Sequence, residues 1–192
     1  MPQRRGGRGR LTAEDWAEAA LGALREGGGL AAIAIEPLAA RMGTTKGSFY
    51  WHFANREALI DAALTRWERQ RADEVAAAPS RRREPVARLT ELLRSATETM
   101  LNDPAELSLY GDAAHPRVAA ALRRVTARRL EYLTELFREL GLTEAEARYR
   151  GLQVYAGCLG RAQLARAVPG LLPRGEDDRR YLDSVLASLV AH

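Results

Sequence analysis

Gly43-Thr44-Thr45-Lys46-Gly47-Ser48-Phe49-Tyr50-Trp51-His52-Phe53 is the stretch on which the reading of this chain turns. Phe49 and Phe53 are four positions apart, so on a helix they share one face and point into a core. That leaves Thr44, Thr45, Lys46, Ser48, Tyr50, Trp51 and His52 spread around the exposed side. Gly47 has no side chain and lets another surface approach the backbone closely. Lys46 is the only lysine, against 28 arginines. Lysine is a compact, flexible point charge where arginine is a wide planar fork. A lone lysine at the leading end of a short helix therefore suits a site-specific contact, although a codon preference for arginine leaves the same count.

Working outward, Ile35 to Met42 reads as a second short helix, with Pro37 tolerated in its first turn and Leu38, Ala39 and Met42 inward. Gly43 breaks it, and the helix carrying Phe49 runs from about Thr45 to His52. Before them, Thr12 reads as an N-cap with Glu14 and Asp15 in the first turn, where negative charge is favoured. Trp16, Ala19, Ala20, Ala23 and Leu24 then form one face, and Gly27-Gly28-Gly29 ends the helix. After them, Asn55 caps a longer helix with Leu59, Ile60, Ala63, Leu64 and Trp67 inward. Two short helices joined by a glycine turn describe a helix-turn-helix, whose second helix enters the DNA major groove. Thr45 and Lys46 lie at the leading end, suited to base edges, while Tyr50 and His52 can donate to phosphate oxygens.

The rest reads as helices over 85–102, 104–113, 116–140, 143–167 and 176–191, with a polar break around Ser80-Arg81-Arg82-Arg83 and Thr143 as a further cap. The fold class is all-α, about nine helices, with a small head and a larger helical body. A net charge of +4 and pI of about 9.6 permit nucleic-acid binding without requiring it. One cysteine, Cys158, rules out an intrachain disulfide and a cysteine zinc cage. No apolar run approaches the roughly 20 residues of a membrane span, and the basic N-terminus lacks a signal-like apolar segment, so a cytoplasmic protein is expected. Enzyme chemistry finds no support: there is no phosphate loop or triad, and the histidines are His52, His115 and His192. Asp112 and His115 have a helical metal-ligand spacing but no third ligand, so neither metal nor cofactor is expected. Arg123, Arg124, Arg128 and Arg129 read as a solvated or acid-paired face.

Gly43, Lys46-Gly47, Phe49-Tyr50-Trp51-His52-Phe53 and Asn55-Arg56-Glu57-Ala58-Leu59 together resemble the DNA-binding head of the tetracycline-repressor (TetR) family of bacterial regulators, over residues 12–67. One departure is Ala34, where the family commonly carries a capping threonine or serine. The resemblance implies that Thr44, Thr45, Lys46, Gly47 and Ser48 meet bases or nearby backbone, that Tyr50, Trp51 and His52 meet phosphate or groove edge, and that Arg56 meets a phosphate. By composition residues 1–10 read as a disordered basic arm, its arginines either solubilising charge or, best for Arg8 and Arg10, suited to the minor groove; the remainder divides into a DNA-binding domain (11–56) and an effector-binding and dimerisation domain (57–192). The resemblance implies a homodimer through Leu152, Ala156, Leu159, Gln163, Leu182, Val185, Leu186 and Leu189, stripes that would be ordinary core in a monomer. It also implies a pocket for an apolar or planar small molecule, with Trp67, Leu93, Met100, Leu107, Tyr110, Tyr132, Phe137 and Tyr155 as lining residues. The expected function is a homodimeric repressor released from double-stranded operator DNA by that effector. An activator or effector-independent regulator of the same fold, a protein-binding adaptor and a helical-bundle enzyme are the alternatives.

Overall fold

The structure, a computed structural model, describes residues 11–76 and 84–190. Arg8, Arg10, the break at Ser80-Arg81-Arg82-Arg83 and the side chain of Met100 lie outside the described residues. Among the described residues the chain forms nine α-helices and two 3-10 turns, with no strand. The helices are α1 (Ala13–Arg25), α2 (Ile35–Arg41), α3 (Lys46–Tyr50), α4 (Arg56–Ala76), α5 (Pro85–Asn102), α6 (Ala105–Gly111), α7 (Pro116–Glu139), α8 (Glu144–Ala167) and α9 (Gly175–Val190).

Local chemistry sets the helix starts. Thr12 and Thr143 each close a reciprocal capping box, with Asp15 and Glu146 respectively. The Asn55 side chain accepts from the Ala58 N–H at 2.9 Å. At Ala34 no side-chain cap is present, as its methyl group dictates.

Two cores follow from the apolar faces. The first joins the head to the start of the body: Trp16, Leu24, Ile33, Leu38 and Phe49 pack with Leu59, Trp67, Leu109 and Val118. The second fills the body, from Leu89 and Leu133 through Phe137 and Tyr155 to Leu189. Residue 56 is thus crossed by one continuous core, with α4 supporting both halves.

A chain of ion pairs runs from one half to the other. Buried Glu106 accepts two bonds from Arg129, at 2.7 and 2.8 Å. Arg129 also lies 3.6 Å from Glu74, and Arg71 bridges Glu74 at 3.1 Å and Asp103 at 3.0 Å. Asp103 then meets Arg25 at 3.2 Å, and Arg25 meets Glu18 of α1 at 2.8 Å. Burial holds the Glu74 carboxyl above its ordinary range, although Arg71 and Arg129 oppose that. The four arginines expected on one face of α7 therefore part company. Arg124 pairs with Glu68 at the surface, while Arg129 is taken into the interior.

Among the described residues no three His, Cys, Asp or Glu side chains come together as a metal-ligand group, and Asp112 and His115 are each engaged elsewhere. Asp112 instead accepts the Leu30 N–H at 2.6 Å, tying the body to the turn after α1. His115 sits 3.5 Å from Glu57. The turn requires glycine at position 29, where φ is +56° and a Cβ would lie 2.5 Å from the Asp112 carboxylate. Gly29→Ala is expected to cost about 2 kcal/mol or more, combining the left-handed penalty with the displaced carboxylate. Gly22→Ala, mid-helix with nothing within 4 Å of the new methyl, is expected to stabilise by about 0.5–1 kcal/mol. Thermal unfolding of the two variants checks both signs.

Candidate nucleic-acid interface

At five residues α3 is too short to be stable alone, and its order comes from one side chain. Phe49 is fully buried, set edge-on to Trp16 with ring centroids 5.4 Å apart and stacked on Phe53 at 5.6 Å. Thr45 caps the start, its hydroxyl accepting from the Ser48 N–H at 3.4 Å. Gly43, at φ +66°, makes the turn from α2, and the Thr44 N–H returns to the Ala39 carbonyl at 2.9 Å. The helix ends sooner than the spacing implied. Trp51 is its C-cap and His52 lies beyond it, because the His52 and Phe53 N–H groups both turn back onto the Phe49 carbonyl. That tight turn is what brings Phe53 over Phe49.

With Phe49 inward, Thr45, Lys46, Gly47, Tyr50 and Trp51 are exposed, while Thr44, Ser48 and His52 are half-buried. Trp51, at 78% exposure, and Tyr50, at 54%, do not pack away against α4. Lys46 is not a free cation. Its Nζ donates to Glu36 Oε1 at 2.8 Å across the turn, which raises the lysine above its usual pKa and lowers the carboxylate below its own.

Arg56, partly exposed, is engaged by the backbone before α2. Its Nε donates to the Ile33 carbonyl at 2.7 Å and its Nη2 to the Leu30 carbonyl, so it anchors the segment leading into the uncapped α2. Residues 11–56 hold four cations, Arg25, Arg41, Lys46 and Arg56, against five acids, Glu14, Asp15, Glu18, Glu26 and Glu36. Each of those cations has a partner, Arg41 clasping Glu26 at 2.5 and 2.7 Å. Arg4, Arg5, Arg8 and Arg10 equal the whole net charge of +4.

The residues expected to line one effector pocket are dispersed. Tyr132 lines a cleft of about 1040 Å³ between α7 and α8, and Leu93 a groove of about 310 Å³ among α5, α8 and α9. Leu107 lines a hollow of about 380 Å³ against the Gly27–Gly29 turn. Trp67 and Phe137 are fully packed core. Tyr110 and Tyr155 meet hydroxyl to hydroxyl at 2.9 Å, with Tyr155 also donating to Glu106 at 2.9 Å and its own ionisation pushed up by burial. Periodicity identified these residues as inward but not which cavity each would face. Glu106 was missed because nothing in its neighbours announces a buried carboxylate; its partners are 23 and 49 positions away.

On the expected dimer stripes, Leu152 at 53% exposure, Ala156 and Gln163 are exposed on α8, and Leu159, Leu182, Val185 and Leu186 are half-buried. Leu189 differs: it is buried within the body core, because it sits on the inner side of α9. Cys158 is buried too, its thiol pushed up to about 11 and hence unreactive. No helix among the described residues is long and apolar enough to cross a membrane.

Residues 18–63 match the family model described as bacterial regulatory proteins, tetR family. No curated protein matches the chain. Among solved structures, a transcriptional regulator from Rhodococcus sp. Rha1 is similar at a TM-score of 0.73, with 20% identity, covering 94% of each chain. SmeT, described as the repressor of the Stenotrophomonas maltophilia multidrug efflux pump SmeDEF, gives 0.68 with 22% identity, covering 93% of this chain and 90% of its own. FadR, a transcriptional regulator from Bacillus subtilis solved with stearoyl-CoA, gives 0.64 with 14% identity, covering 92% and 96%. At these identities the likeness is one of fold.

Gly47 separates folding from contact. A Cβ there meets only the Thr45 hydroxyl, at an ordinary 3.6 Å. Gly47→Ala is therefore expected to leave stability unchanged or raise it by about 0.5–1 kcal/mol, while weakening binding to duplex DNA by about tenfold through lost backbone approach. Thermal unfolding and fluorescence anisotropy on the same sample read the two effects.

Proposed function

We propose that this chain, a helix-turn-helix transcription regulator whose residues 18–63 belong to the tetR family of bacterial regulatory proteins, binds operator DNA as a homodimer and represses until a small molecule releases it. The observation that carries the DNA-binding part is the side-chain division on α3. Phe49 alone anchors the helix, and Thr45, Lys46, Gly47, Tyr50 and Trp51 face outward beside it. Thr45 and Lys46 reach base edges; Tyr50, Trp51 and His52 hold the phosphates. Arg56 contributes by positioning the α2 segment, and Arg8 and Arg10 reach the neighbouring minor groove.

A helix of five residues reads too few base pairs for selectivity, which favours two heads on successive major grooves about 34 Å apart. The exposed Leu152, Ala156 and Gln163 on α8, beside the half-buried Leu182 and Leu186 on α9, supply a mixed apolar and polar face for a four-helix seam. Repression and effector release rest on the fold shared with SmeT, a repressor, and FadR, solved with stearoyl-CoA. The hydroxyl of Tyr132, in the wall of the cleft between α7 and α8, is buried without a hydrogen-bond partner, which suits an apolar or planar effector bearing one polar group there. The ion pairs from Glu106 to Glu18 give such a ligand a continuous route to α1. Release requires only that the ligand favour one arrangement of that route over another.

The test is a mobility shift on duplexes enriched by the chain from a randomised pool. Specific retention is expected for the parent, and Lys46→Ala is expected to lose about 1–3 kcal/mol of discrimination. Failure of the parent to enrich any sequence would sink the reading. For the dimer, Leu152→Glu is expected to leave the fold intact, since the side chain is half exposed. It should convert a dimer to a monomer in sedimentation and cost at least tenfold in operator affinity.

A further inference from the structure

We propose that Glu36 is a specificity-determining residue. Its carboxylate holds the Lys46 ammonium back, so that only a duplex with an acceptor correctly placed at the leading end of α3 draws the lysine across. The inference rests on the DNA-binding reading of the head and adds to it the means by which that head rejects wrong sequences.

The geometry is direct. Lys46 is the first residue of α3 and Glu36 the second of α2, and their side chains close at 2.8 Å over the turn that separates the two helices. Both remain well exposed, 52% for Lys46 and 71% for Glu36, so the pair is open to competition from a third partner. An exposed pair of this kind biases its equilibrium by no more than about fivefold, which a good hydrogen bond to a base edge outweighs. A stray phosphate contact does not, because the same phosphates repel the carboxylate that the lysine leaves behind.

The charge pattern of the head supports this division of labour. Every cation among residues 11–56 is paired, and acids outnumber them by one. A random duplex therefore meets a neutral pair at α3 rather than a bare cation, and is attracted mainly through the four arginines of residues 1–10. Glu36 works by penalising wrong partners, since selectivity is a difference between affinities and grows when the wrong complex is made worse.

Fluorescence anisotropy with the full chain tests this on two duplexes, one enriched by the parent from a randomised pool and one scrambled to the same base composition. For Glu36→Gln, binding to the scrambled duplex is expected to tighten about tenfold and to the enriched duplex much less, so that discrimination falls about fivefold. The slope of log K against log salt on the scrambled duplex should steepen by about 1. Glu176→Gln, the same charge change at the start of α9, should match the parent, and Glu36→Gln combined with Lys46→Gln should lose the gain. Equal tightening on both duplexes overturns the proposal, as does an unchanged ratio or a gain that survives in the double variant. A parent that binds neither duplex overturns the DNA-binding reading itself, and this proposal with it.

Discussion

The burial of Phe49 against Trp16 is the contact on which the functional surface depends. An isolated helix of five residues does not form in water, since nucleation costs more than so few hydrogen bonds return. Fully burying one phenylalanine contributes about 1.5–3 kcal/mol, and the edge-on ring geometry adds to it. Because the one fully buried side chain sits in the middle of α3, Lys46 and Gly47 carry no packing and Tyr50 only sets its ring against the edge of Phe49. Lys46, Gly47 and Tyr50 are exposed for this reason, and Phe53, turned back onto Phe49, locks the rotation of the helix about its axis.

What the sequence made legible was local. Thr12, Thr143 and Asn55 were readable as caps because a cap needs only its own turn. Phe49 and Phe53 were readable as facing inward from their spacing of four, although Phe53 lies past the end of α3 and reaches Phe49 through the turn at Trp51 and His52. What escaped was the pairing of charges over long separations. Arg56 reads as a phosphate ligand, while its guanidinium is found on the carbonyls of Leu30 and Ile33, 26 and 23 positions earlier. Periodicity likewise marks Trp67, Leu107 and Tyr132 as inward without saying that one packs in the core shared by head and body while the others line separate hollows. Leu189 failed in the opposite sense, as an apolar residue on the right helix but on the side that faces its own chain.

The ion pairs explain why the head and body cannot be treated as independent units. Glu106, Arg129, Glu74, Arg71, Asp103, Arg25 and Glu18 alternate in sign from α6 to α1, with Glu106 and Arg71 buried, Arg129 and Asp103 mostly so, and Glu74 exposed. Removing one partner of a buried pair leaves the other charge desolvated, at a cost of about 3–5 kcal/mol, so the series holds together strongly. The Asp112 bond to the Leu30 N–H and the shared core across residue 56 give the same junction two further constraints. These contacts join α6 to α1, whose other face carries Trp16 and through it Phe49 of α3.

This also bears on the arginine bias of the chain. Arg41 grips both oxygens of Glu26 and Arg124 both of Glu68, each through two nitrogens, and Arg56 spans two carbonyls in the same way; each use needs a planar fork. Lys46 makes one bond to one carboxylate oxygen, from a flexible stem, at an exposed position. An arginine there would clasp Glu36 through two bonds and release it less readily. On the proposed reading the single lysine stands where a contact must be both made and given up, and the distinction between the two cations follows from how many bonds each can hold at once.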